Sequence, residues 1–166
     1  AGVNTAASVT SGAASSITQT SATLAGTIPS IGCSAVTAYG VEYSTINGFP
    51  NGTGTAVPST NLTGVNFSSA LTGLIPSTTY YYHAYATNGG GTSYGAQGSF
   101  TTLAPVLTVT PLTAFGANCI NTTAGPNSFT INSNAVLAPN ITVGPLSGYS
   151  FSTTAGGTYT TSLSLA

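Results

Sequence analysis

Very few residues of this chain can do chemistry. Glu42 is its only acid and His83 its only imidazole; Cys33 and Cys119 are its only thiols, and there is no Lys or Arg among 166 residues. General acid–base catalysis needs at least two placed titratable groups, so Glu42 and His83 would have to supply it together. No nucleophile, third ligand or oxyanion device is identifiable around them. The other readings are a polar centre in a sugar-binding face and a plain cross-strand pair, worth roughly 0.2–1 kcal/mol. The plain pair is the favoured one.

The same scarcity excludes whole classes of function. Nucleic-acid binding needs cations to neutralise phosphates, and an anionic membrane surface needs them too. A calcium or magnesium site needs several carboxylates. Two Cys without His or acidic partners do not make a zinc site. No cofactor, no metal and no catalytic residue is therefore expected. Charged residues are 1% of the chain, whereas Ser and Thr together number 52. Hydroxyls must keep the surface wet, and a net charge near zero leaves little repulsion between copies. No apolar run reaches the roughly 18 residues of a spanning helix, so no membrane insertion is expected. No basic and apolar leader opens the sequence; a secreted form would already have lost its signal.

The elements that position these residues read as strands. Short alternating runs rich in Thr, Val, Ile and Tyr are separated by Gly, Pro, Asn and Ser. Strands are predicted at Ser8–Thr10, Ser21–Ile28, Thr37–Ser44, Gly64–Leu71, Thr79–Thr87 and Gly95–Thr102, a density that suits a β-sandwich. Leu103-Ala104-Pro105 reads as a linker. Strands resume at Val106–Thr110, Ser128–Asn132, Asn140–Val143, Tyr149–Thr153 and Tyr159–Leu165. With period 2, Tyr80, Tyr82, Ala84 and Ala86 share one face, and Tyr81, His83 and Tyr85 the other. Tyr39, Val41 and Tyr43 then point to the core and Glu42 to the surface.

Several segments resemble the fibronectin type III domain. Leu74-Ile75-Pro76-Ser77-Thr78-Thr79-Tyr80 matches its L-x-P-x-T-x-Y signature. Residues 17–24, 38–44 and 98–102 look like its strands B, C and G, with Leu24 where strand B often carries a large aromatic. The resemblance implies structural roles for Leu74, Pro76 and Tyr80, the last as a tyrosine corner with its ring in the core and its hydroxyl on nearby backbone. It also makes the strands of Glu42 and His83 neighbours. The second half is similar to an immunoglobulin-like repeat of very large surface proteins of gliding-type bacteria, at residues 107–111, 128–131, 140–143, 148–152 and 157–159. Such proteins are adhesins, filament components or modules of polysaccharide-active enzymes, often exported by the type IX route.

The expected fold is all-β, with two tandem immunoglobulin-like sandwiches: an arm over 1–7, a first sandwich over 8–102, a linker over 103–105, and a second sandwich over 106–166 lacking its last strands. An unfinished sheet exposes an edge and an open core. A free N-terminal arm carrying Val3 and Thr5 is a candidate donor strand for a neighbouring copy; the plain alternative is a frayed end. Cys33 falls in the loop between strands B and C, and Cys119 at the far pole of the second domain. Three states stay open: two buried free thiols, an intermolecular Cys33–Cys119 bond between head-to-tail copies, or a folded-back intrachain bond. Tyr81 and Tyr85, with His83 and Glu42, form a candidate interaction face, whether ordinary surface, intersubunit contact or sugar platform. Asn-x-Ser/Thr patterns stand at Asn51, Asn61, Asn66, Asn121 and Asn140 and suggest a glycosylatable exterior.

The functional expectation is a secreted, extracellular structural or adhesive protein of the cell surface. Its subunits would assemble head to tail by strand complementation, with itself as principal partner. The alternative is a carbohydrate-binding or spacer module of a larger secreted protein, with glycans as partners.

Overall fold

The computed structural model describes residues 4–111, 127–133, 141–145, 147, 149–154 and 157–165. The chain divides into two compact units, 1–104 and 105–166. All regular structure among the described residues is β.

Unit 1 contains eight strands: β1 (Ser8–Ser15), β2 (Ser21–Ser30), β3 (Ala38–Ser44), β4 (Thr55–Pro58), β5 (Asn66–Thr72), β6 (Thr79–Asn88), β7 (Gly91–Tyr94) and β8 (Gly98–Thr101). They form two sheets, ordered β1-β2-β5 and β4-β3-β6-β7, with β8 also pairing β6. Every pairing is antiparallel. The core lies between the sheets and follows the period-2 pattern. β2 contributes Ala22, Leu24 and Ile28, β5 contributes Phe67 and Leu71, and β6 contributes Tyr80, Tyr82, Ala84 and Ala86. Leu24 is fully buried, so an aliphatic side chain fills the strand B position.

Two strands escaped the sequence reading. β4 is a four-residue edge strand ending in Pro58, a residue that sheets accept at an edge. β7 lies just ahead of the last predicted strand, Gly95–Thr102, and pairs with residues 85–88 of β6; β8 lies within that prediction and pairs with residues 79–82. Between the two, a Cβ on Gly95 would lie 2.5 Å from the Ser11 amide nitrogen. Glycine there lets β1 cross close to β6. The Ala84 N–H donates to Ser11 Oγ at 3.0 Å and the Tyr82 hydroxyl to the Gly12 carbonyl at 2.7 Å. These bonds tie the two sheets together through β1.

The N-terminal arm is not free at Asn4–Ala7, which corrects the expectation for Thr5. The Thr5 carbonyl accepts from the Cys33 N–H at 3.3 Å and from Asn88 Nδ2 at 3.0 Å, and Ala7 is buried. The physical reason is close backbone approach: a Cβ on Gly90 would fall 2.5 Å from the Ala6 nitrogen. Val3 lies outside the described residues. At the other end, the Leu103 N–H donates to the Thr18 carbonyl at 2.9 Å, so this linker residue is part of unit 1.

Unit 2 contains four described strands: β9 (Leu107–Val109), β10 (Ile131–Ser133), β11 (Ile141–Val143) and β12 (Leu163–Leu165). β9 pairs with β10 and β11 with β12, both antiparallel, and Phe151 bridges Thr160. A cleft of about 540 Å³ is lined by residues that include Phe129, Ile131, Val143, Phe151, Tyr159 and Leu163.

Candidate functional site

The register of β3 and β6 sets Glu42 directly opposite His83 on the outer face of their sheet. An outer face is ordinarily wet, yet Glu42 is 3% and His83 6% exposed. This corrects the expectation that Glu42 lies at the surface. Residues 45–54, the loop from β3 to β4, fold back over the pair. Phe49 is buried, with its ring centroid 4.5 Å from that of His83. Gly54 makes the room, since a Cβ there would come within 2.6 Å of the Phe49 ring.

Glu42 holds this cover down. The Gly52 N–H donates to both carboxylate oxygens, at 2.9 and 3.1 Å. Such charge-assisted bonds are roughly twice as strong as neutral ones. His83 Nε2 stands 3.8 Å from Glu42 Oε1 and has no hydrogen-bond partner. The other end of the loop is fixed by the Gly48 N–H donating to Gln97 Oε1 at 3.0 Å and Gln97 Nε2 donating to Asn47 Oδ1 at 2.7 Å.

Around the pair stand Tyr85 and Tyr94. The Tyr94 ring meets His83 edge-on at 6.1 Å and lies 6.4 Å from Tyr85, tilted by 43°. Burial pushes both phenols above their ordinary pKa, and the Glu42 charge adds to the rise. Tyr81 and Tyr85 are half-buried. The tilt between Tyr85 and Tyr94 leaves no flat platform shared by the two rings.

Chemically the cluster is a clasp. Glu42 has both oxygens on one amide and is buried. Among the described residues no group of three metal-ligating side chains exists. Sequence reasoning brought Glu42 and His83 together but missed Phe49, Gly52 and Tyr94. The signal available was the Phe49-Pro50-Asn51-Gly52 turn between two strands.

The other predicted residues sit as follows. Tyr80 is 5% exposed, and its hydroxyl accepts from the Ile75 N–H at 2.9 Å, the geometry of a tyrosine corner. Leu74 is buried beside it, and the Pro76 carbonyl accepts from the Thr78 hydroxyl at 3.0 Å. Residues 7–102 match the family model of the fibronectin type III domain. The chain belongs to the fibronectin type III family. Solved structures similar to it include the short form of the sensor domain of the anti-sigma factor RsgI4 from Pseudobacteroides cellulosolvens, 22% identical with a TM-score of 0.44, covering 59% of this chain and 95% of that one. The solution structure of the same domain is also 22% identical, with a TM-score of 0.45 and coverage of 59% and 76%. No curated protein matches the chain.

On this fibronectin type III unit, Cys33 is free and exposed rather than buried. Its loop lies against the arm, where the Thr5 hydroxyl donates to the sulfur at 3.0 Å. That bond, with a second from the Thr5 backbone, lowers the thiol pKa. Cys119 lies outside the described residues, and with it either form of a Cys33–Cys119 bond.

Proposed function

We propose that the chain is an extracellular structural or adhesive protein of the cell surface, whose copies join head to tail into filaments by strand complementation. The observation that supports this reading is the burial of Glu42 and His83. They are the only acidic and imidazole side chains, and Lys and Arg are absent. With both enclosed under the loop, carboxylate, imidazole, ammonium and guanidinium charge is missing from the side-chain surface. Copies therefore approach without the repulsion that keeps most soluble proteins apart.

A heterologous contact that does not close on itself produces an open filament. In this reading the acceptor is the cleft of unit 2, where Phe129, Ile131, Val143, Phe151, Tyr159 and Leu163 offer apolar contacts. Main-chain pairing along a sheet edge supplies affinity, and pockets for alternate side chains supply register. The donated segment excludes Asn4–Ala7, whose hydrogen bonds and burial are made within unit 1. The role is non-enzymatic: the one carboxylate is occupied by the Gly52 amide.

Negative-stain microscopy of the purified protein tests this. Thin unbranched fibres are expected. Separate particles at every concentration would remove the reading.

A further inference from the structure

We propose that Asn51 is the site at which unit 1 carries an N-linked glycan. Three Asn-x-Ser/Thr patterns fall in this unit, at Asn51, Asn61 and Asn66, and the fold treats them differently. At Asn61 the side chain makes three hydrogen bonds. Its Oδ1 accepts from Ser59 Oγ at 2.7 Å and from the Ser68 N–H at 3.0 Å, and its Nδ2 donates to Ser68 Oγ at 2.9 Å. A sugar on that nitrogen would leave it one N–H, which would have to stay on Ser68 Oγ, and would crowd the bridge between this loop and β5.

Asn66 opens β5, opposite Thr27 of β2. The hydroxyl of its pattern belongs to Ser68, which is half-buried within the sheet and already bonded to Asn61. Phe67 at the centre of the pattern is buried in the core, so a transferase cannot grip the pattern from outside.

The Asn51 side chain makes no hydrogen bond with the described residues, while the Thr53 hydroxyl of its pattern donates to the Pro50 carbonyl at 2.7 Å. Asn51 occupies the second position of a tight turn, Pro50-Asn51-Gly52-Thr53, closed by the Thr53 N–H donating to the Pro50 carbonyl at 3.1 Å. Gly52 has φ 79°, as the third position of a type II turn requires. Asn51, Gly52 and Thr53 are all exposed. Behind the tip, the Glu42 carboxylate holds the Gly52 amide. The turn is thus an outward tip on a fixed base, and a sugar on it leaves the buried Phe49 and His83 undisturbed.

The transfer needs a polyprenyl-pyrophosphate-linked oligosaccharide as donor. Asn51 Nδ2 attacks the anomeric carbon of the first sugar. An N–C bond forms as the C–O bond to pyrophosphate breaks; the polyprenyl pyrophosphate leaves with the electron pair, and one Nδ2 proton passes to the base of the transferase. No oxidant or reductant is consumed. A hydrophilic glycan also gives a charge-free surface the hydration that ionised side chains ordinarily supply. This site belongs to unit 1 and is independent of how copies assemble.

Peptide mapping of the protein isolated from the cells that make it decides the matter. Trypsin has no Lys or Arg to cut, but chymotryptic cleavage after Tyr43 and Phe67 releases residues 44–67, which hold all three acceptor asparagines. Electron-transfer fragmentation of that peptide should place a sugar on Asn51 and none on Asn61. Asn51→Gln should abolish the increment and leave the unfolding midpoint of the unglycosylated fold unchanged. A bare peptide, a sugar on Asn61 or Asn66 with Asn51 bare, or an increment that survives Asn51→Gln would each overturn the proposal.

Discussion

The backbone amide of Gly52 gives its hydrogen to both oxygens of Glu42, at 2.9 and 3.1 Å. One acidic side chain thereby pins a loop across the outer face of a sheet and encloses the only histidine. The consequence reaches beyond the loop, because enclosing this pair clears the surface of the charges that most proteins rely on for solubility.

Loss of the Glu42 carboxylate should release the loop. Glu42→Ala leaves the Gly52 amide without its acceptor and is expected to cost about 1–3 kcal/mol. Glu42→Gln keeps an oxygen acceptor and should cost less. Urea denaturation of the two variants beside the native chain measures the difference. Equal stability of all three would show that the clasp contributes nothing.

Phe49→Ala should open the cover. A buried Phe truncated to Ala typically costs about 3–5 kcal/mol, with the cavity left behind as part of it. The site-specific readout is hydrogen exchange at the Gly52 amide, which should lose protection while the Tyr80 and Tyr82 amides of β6 keep theirs. Uniform loss of protection across unit 1 would instead mean that Phe49 supports the whole sandwich.

Stability should fall at alkaline pH. Tyr85 and Tyr94 have pKa values raised in the folded state, by burial first and by the Glu42 charge second. Raised folded values mean that the unfolded chain releases its protons at lower pH. The contribution is therefore complete below about pH 10, the ordinary Tyr value, and is lost as pH rises through the folded pKa values. Glu42→Gln removes one cause and should bring the near-ultraviolet phenol titration to lower pH. A titration unmoved by that substitution would exclude the electrostatic link.

Much of unit 1 was legible in the sequence, and the parts that were not share one cause. Ala22, Leu24, Tyr80 and Tyr82 lie on strands that alternate cleanly, so period 2 assigned their face. The same rule placed Glu42 opposite His83 but was silent on what covers an outer face. Their burial depends on Phe49, and Phe49 stands in a segment whose Gly and Pro read only as a turn. The docking of Thr5 was equally hidden, since it depends on Gly32 and Gly90 coming close to a distant stretch of backbone. β4 and β7, four residues each at sheet edges, are too short for alternation to show.

Thr5 should govern the reactivity of Cys33. The Thr5 hydroxyl lowers the thiol pKa, so Thr5→Val is expected to move the pH midpoint of Cys33 alkylation upward, toward the ordinary thiol range. Peptide mass spectrometry of the alkylated chain reads Cys33 separately from Cys119. An unchanged midpoint would show that the hydroxyl does not act on the sulfur.

Self-association without charge is tested most directly by sedimentation velocity of the purified protein across a wide range of salt. Attraction between exposed charges fades as ionic strength rises, so an end-to-end series built on uncharged surfaces should keep the same distribution at low and high salt and lengthen with protein concentration. A single monomer species at every concentration, or a series that dissolves as salt is added, would contradict it.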